Sequence, residues 1–251
     1  MAERPRRVWI TGASSGLGAA LARACVVAGD EAWLSARPGA RLDDTVAALG
    51  PRAHALPLDV TDRDQLHDAL TRLEHARGLP DLTILNAGTY QPQGLANFDA
   101  EAIRALFALN VFAITDTLAW LTPRLAARGH GQVALVGSVA ADIGLPYAGP
   151  YSASKAALVR LAQALRPEFE RAGLVLSLVE PGFVRTPLTA LNDFPMPFLM
   201  DADDAAHAIL HGLDRGRFRV RVPWTMSVLM RLFANLPEAC SMIARRRMLR
   251  H

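Results

Sequence analysis

Two residues four positions apart, Tyr151 and Lys155, carry the most specific chemical signal in the sequence. On a helix this spacing sets both side chains on one face, one turn from each other. A phenol with its ordinary pKa of about 10 is a poor proton donor or acceptor at neutral pH. An ammonium held beside it favours the phenolate and lowers that pKa, which is the tuning a general acid/base requires. The chain holds 27 Lys plus Arg, and Lys155 is its single lysine. A compact ammonium does different work from a planar guanidinium fork, so an arginine-biased chain has kept lysine at one place. The competing interpretation is an ordinary surface pair on a helix.

A pair of this kind acts only if other elements bring a substrate to it. Near the start, the apolar residues 8–10 read as the end of a buried strand. They run into Thr11, Gly12, Ala13, Ser14, Ser15, Gly16, Leu17 and Gly18, followed by a helical pattern of Leu17, Leu21, Ala24, Cys25 and Ala28. Strand, glycine turn and helix form a phosphate site: glycines permit close backbone approach, and the helix start offers free N–H groups and a positive dipole end. Strand-like and helix-like segments then alternate. Strands are expected at 31–36, 54–58, 82–85, 132–136 and 174–179. Helices are expected at 41–49, from 62 to about 77, at 99–125, from 151 to about 172 and at 201–215. Thr61 with Asp64 reads as a helix N-cap with an acidic first turn. Residues 217–222 alternate Arg with apolar residues and predict a short seventh strand with one charged face. The fold class is therefore α/β, a doubly wound parallel sheet of about seven strands in a single domain.

The spacing Gly12-x3-Gly16-x-Gly18 together with Tyr-x3-Lys resembles the classical short-chain dehydrogenase/reductase family over roughly residues 8–190. The resemblance implies a Rossmann-like fold and a set of roles. Gly12, Ser14, Ser15, Gly16, Leu17 and Gly18 would hold the cofactor's phosphates. Asp59 and Val60 would sit beside its adenine, and Asn86, Ala87 and Gly88 would line it, with Leu85 standing where the family has a further Asn. Pro181, Gly182, Val184 and Thr186 would meet its nicotinamide end. Ser138, thirteen residues before Tyr151, matches the family's catalytic serine and would bind the substrate oxygen beside Tyr151. Asn110, an amide in an apolar helix stretch, is either a structural bridge to helix backbone or, by resemblance, the catalytic Asn that holds a water in a proton relay to Lys155. Lys155 would lower the Tyr151 pKa and bind the nicotinamide ribose. At the end of the second strand Ser35 and Ala36 are neutral and Arg37 is cationic; an arginine there pairs with a 2′-phosphate, so NADP(H) is expected over NAD(H). The substrate is expected to be a hydrophobic ketone or secondary alcohol, lined by Ile143 and Leu145 and by Leu188 and Leu191 of a lid at 187–200. The alternative from another class is a non-catalytic NADP(H)-binding regulator or scaffold, which a disrupted Ser, Tyr or Lys would have favoured.

Composition sets bounds. The chain has 251 residues, 51% hydrophobic and 20% charged, with two well-separated cysteines, Cys25 and Cys240. That is a substantial core, no disulfide framework and no metal site, and a cytoplasmic protein is expected. No run of about 20 apolar residues is free of charge, so no membrane span is expected. From Arg215 onward there are nine Arg and one acid, a charge of +8 that leaves the rest of the chain at −5. Residues 1–223 would form the catalytic domain. Residues 224–251 form an apolar and basic helical extension read as a homodimer or homotetramer contact, a cover over the pocket or a weak membrane-surface contact, in that order. A nucleic-acid partner is not expected, because the tail's arginines lack an aromatic stacking array.

Overall fold

The computed structural model describes residues 5–192 and 194–249. Seven strands form one sheet in the order β3-β2-β1-β4-β5-β6-β7, and every neighbouring pair is parallel. The strands are β1 (Arg7–Thr11), β2 (Glu31–Ser35), β3 (Ala53–Ala55), β4 (Leu82–Leu85), β5 (Gln132–Val136), β6 (Val175–Pro181) and β7 (Arg219–Val222). Parallel strands need helical crossovers. These are α1 (Gly16–Val27), α2 (Ala40–Leu49), α3 (Arg63–Arg77), α4 (Ala100–Phe107), α5 (Ala113–Arg128), α6 (Gly149–Arg171) and α7 (Ala202–Asp214). Two further helices, α8 (Trp224–Ala234) and α9 (Glu238–Arg247), follow β7.

The side-chain period of two divides each strand between two cores. Trp9, Leu85, Val133 and Leu135 join Leu66, Leu70, Leu121 and Leu158 of α3, α5 and α6. Val8, Ile10, Ile84 and Ala134 join Leu21, Cys25, Leu42 and Ile209 of α1, α2 and α7. Both faces are covered, which is why the strands read as continuous apolar runs. The chain order reverses between β1 and β4, and in open parallel sheets the crevice at that point, beyond the carboxyl ends of the strands, is where ligands bind.

Several local expectations are corrected. The third strand is Ala53–Ala55 rather than 54–58, although Leu56 N and Leu58 N still donate to Leu34 O and Ala36 O beside it. Asp62, not Thr61, caps α3: its Oδ1 accepts from Asp64 N and Gln65 N at 3.1 Å each, while the Thr61 hydroxyl donates to Asp59 Oδ1 at 2.7 Å. The helix from Asp99 is interrupted by a π turn, Ala108–Phe112, carrying Asn110. Residues Ala100–Arg128 are long and apolar enough to cross a membrane, but half of the apolar window is buried inside the fold. The charged face of β7 is paired within the fold, Arg219 with Glu180 and Arg221 with Asp142 and Glu180. Cys25 is buried and Cys240 exposed, and both are free thiols.

Candidate active site

At the end of β1 the chain turns through Gly12 at φ +66°. A Cβ on Gly12 would lie 2.8 Å from Ala87 Cα, and one on Gly18 would lie 2.2 Å from Gly12 O. Neither neighbour can yield, since both are backbone, so these two positions accept only glycine. A Cβ on Gly16 would press on Thr186 at 3.1 Å. Asn86 closes the turn from the next strand: its Nδ2 donates to Thr11 O at 3.0 Å and Gly12 O at 3.2 Å. Leu85, where the family pattern has Asn, is buried in the core instead. Ser15 does not cap α1 with its side chain, so the first N–H groups of α1 remain open to an anion.

A cavity of about 1150 Å³ runs from this turn along the carboxyl edge of the sheet. Its wall includes Gly12, Ser14, Ser15, Gly16, Leu17, Gly18, Arg37, Asp59, Val60, Asn86, Ala87 and Gly88, and continues through Ser138, Tyr151, Lys155, Pro181, Gly182, Val184 and Thr186. The predicted cofactor residues, from five separate strand ends, thus share one wall. A glycine cradle that any Cβ would fill, opening on the start of a helix, fits a dinucleotide. Arg41, in the first turn of α2, also lines the cavity with Arg37 and was missed from the sequence. Ser35 faces the other way, accepting from Trp9 Nε1 at 2.8 Å and donating to Leu56 O at 2.7 Å.

Tyr151 and Lys155 lie near the start of α6, with Lys155 Nζ 5.8 Å from the Tyr151 ring centroid. Lys155 is 4% exposed and its Nζ donates to Val136 O at 2.9 Å. Burial pushes its pKa down to about 8. The expectation that Lys155 lowers the Tyr151 pKa is corrected. Burial pushes the phenol up, a side-chain hydrogen bond with Ser138 works the other way, and the Tyr90 phenol beside it adds to the rise. The Lys155 ammonium is not among the causes of this shift; its Nζ donates to the Val136 carbonyl. Tyr90, whose ring meets that of Tyr151 edge-on at 5.3 Å, is a second residue the sequence did not reveal.

Ser138 opens a 3-10 turn, Val139–Asp142, and its Oγ accepts from Ala140 N at 3.1 Å. This turn and the start of α6 bring the serine and tyrosine hydroxyls together. Asn110 is fully buried. Its Oδ1 accepts from Thr89 N at 2.8 Å, and its Nδ2 donates to Thr89 O at 3.0 Å and Ser154 Oγ at 3.1 Å. Both amide hydrogens thus hold the segment after β4 against α6. Gly88 lets that amide approach Lys155: a Cβ there would be 3.2 Å from Asn110 Oδ1 and 3.4 Å from Lys155 Nζ.

The substrate residues divide. Leu188 lines the cavity. Ile143 and Leu145 do not; they pack with Val139, Phe183 and Met226 and Met230 of α8, because α8 supplies the apolar surface that covers them. The Leu191 side chain lies outside the described residues. The end of the expected lid is pinned by a parallel bridge between Val184 and Met200.

Known proteins resemble this chain in sequence and fold. The sequence profile of the short chain dehydrogenase family matches residues 6–193. An uncharacterized oxidoreductase of Myxococcus xanthus is 34% identical over 97% of both chains. A short-chain dehydrogenase structure from Streptomyces avermitilis is 31% identical, with a TM-score of 0.83 over 92% of each chain. A short-chain dehydrogenase from Sphingobium yanoikuyae, solved in complex with NADPH, is 30% identical, with a TM-score of 0.80 over 93% of this chain and 97% of that one. The protein belongs to the short-chain dehydrogenase/reductase family, and it is an oxidoreductase acting on CH–OH or C=O groups with a nicotinamide cofactor.

Proposed function

We propose that this enzyme is an NADP(H)-preferring oxidoreductase that interconverts a hydrophobic ketone and its secondary alcohol, with Tyr151 as the general acid/base. The observation that carries the proposal is the Ser138–Tyr151 hydroxyl pair, one helical turn from a buried lysine, on the wall of the glycine-cradled cavity. The nicotinamide, when bound, donates or accepts the hydride. The remaining steps belong to the chain's own side chains. In the reducing direction the Tyr151 hydroxyl donates its proton to the substrate oxygen. Ser138 donates a hydrogen bond to the same oxygen and holds it in place. Lys155, with a pKa near 8, returns a proton to the Tyr151 phenolate left behind. The relay at Asn110 uses what its bonds leave: the second lone pair of Oδ1 and the backbone of the π turn.

Preference for NADP(H) rests on two guanidinium groups, Arg37 and Arg41, at the same end of the cavity, where Ser35 contributes no acid. A homodimer or homotetramer is proposed as the assembly, to be read by light scattering. The test of the chemistry is Tyr151→Phe. Turnover of apolar ketones should fall by about 10²–10⁴-fold while NADPH binding, followed by fluorescence, persists; undiminished turnover would sink the assignment. Arg37→Ala with Arg41→Ala should weaken NADPH binding about tenfold or more and leave NADH little changed. Equal effects on both would remove the phosphate role.

A further inference from the structure

We propose that the outward face of α8, with the basic end of α9, docks this protein on an anionic lipid surface. An amphipathic surface helix turns its apolar side to the protein and its polar side to water. Helix α8 is apolar on both. Met226 and Met230 face inward and are buried, while Trp224, Val228, Leu229 and Leu232 face outward, 72%, 47%, 44% and 65% exposed. At 100° per residue these four form one stripe with Arg231 at its edge. Eleven residues rise about 16 Å, too short to cross a hydrocarbon core of about 30 Å. The helix therefore suits lying in an interface, with an exposed Trp of the type that settles at the headgroup level.

Charge selects the occupant. Helix α9 begins within one turn of the end of α8 and carries Arg245, Arg246 and Arg247 in its last turn, with Met242 and Ile243 exposed beside them. Among the described residues from Trp224 onward the single acid is Glu238, and Arg245 bonds to it at 3.1 Å. A second copy joined symmetrically through this face would bring to it another patch of the same positive charge, with Glu238 as its one described acid. Anionic headgroups complement the arginines, and acyl chains complement the stripe. The inward face of α8 packs on Val139, Ile143 and Leu145, directly after Ser138, so docking would bring the substrate-binding side of the enzyme to the lipid. The proposal stands whether or not the substrate is a ketone.

The experiment is co-sedimentation of the full chain with vesicles of phosphatidylcholine alone and of phosphatidylcholine with an equal part of phosphatidylserine. Binding to the anionic vesicles is expected, weakened by salt, with a blue shift of the exposed Trp224. Leu232→Glu and the pair Arg246→Glu with Arg247→Glu should each weaken it at least about tenfold with ketone turnover in solution unchanged, which shows that the fold is intact. No binding to anionic vesicles, or equal binding by parent and Leu232→Glu, overturns the proposal. A fall in oligomer size on Leu232→Glu without vesicle binding would assign the face to a second copy and overturn it as well.

Discussion

Replacing Arg221 by Met should remove a charge that makes four side-chain hydrogen bonds to two carboxylates. Arg221 is 8% exposed. Its Nη1 and Nη2 donate to Asp142 at 2.7 and 2.8 Å, and its Nε and Nη2 donate to Glu180 at 2.8 and 3.0 Å. Glu180 is 0% exposed and sits on the strand end that leads to Pro181 and Gly182. Removing the guanidinium leaves Glu180 with Arg219 and strips Asp142 of a bidentate partner. Breaking a buried pair from one side costs about 3–5 kcal/mol, because the remaining charge stays desolvated. Domains are typically stable by about 5–15 kcal/mol, so Arg221→Met should fold but unfold at clearly lower urea. Asp142 ends the 3-10 turn that Ser138 begins, so kcat/KM for a ketone should fall more than NADPH affinity does. Arg221→Lys, which keeps the charge and loses the fork, should fall between. A loss below about 1 kcal/mol with turnover intact would refute the argument, since the carboxylates would then be satisfied without this arginine.

Two further predictions concern the cavity wall. Gly18→Ala should abolish NADPH binding and destabilise the fold by about 1–3 kcal/mol, because its Cβ would meet Gly12 O at 2.2 Å and Asn86 Nδ2 at 2.6 Å; unchanged affinity in a fluorescence titration would disprove the cradle. Lys155→Met should be more stable than the parent at pH 7, and the gap should close as pH rises. The folded pKa is about 8 against an ordinary 10.5, so between those values the unfolded chain binds more protons and the parent gains stability with pH, by about 3 kcal/mol in all. Paired urea midpoints across this window give the readout, and a gap independent of pH would contradict the buried charge.

What could be read from the sequence was what local chemistry dictates. The glycines of the first turn, the strand ends at Asn86 and Ser138 and the Tyr151–Lys155 spacing each depend on neighbours within a few residues. The seventh strand shows where this stops. Alternation placed Arg219 and Arg221 on one face but did not say which face; the partners Glu180 and Asp142 come from two other segments, and only the sheet order joins them. The π turn at Asn110 interrupts a period too long to show a single inserted residue. Thr61 and Asp62 are both good caps, and tertiary geometry chose between them. Proximity of Lys155 to Tyr151 was legible; the burial that pushes the phenol up and the ammonium down was not.

That burial explains the lone lysine better than proximity does. Among the described residues, Lys155 and Arg221 are cations with side chains buried deep in the fold. Arg221 meets two carboxylates, which hold its pKa above the ordinary value despite burial. Lys155 meets the Val136 carbonyl and is pushed down to about 8. A guanidinium cannot shed its proton in this range; at position 155 it would be a permanent charge held by a single carbonyl. An ammonium in the same place both tolerates burial and titrates near the working pH. The arginine bias of the chain therefore ends where the fold requires a cation that can give its proton up.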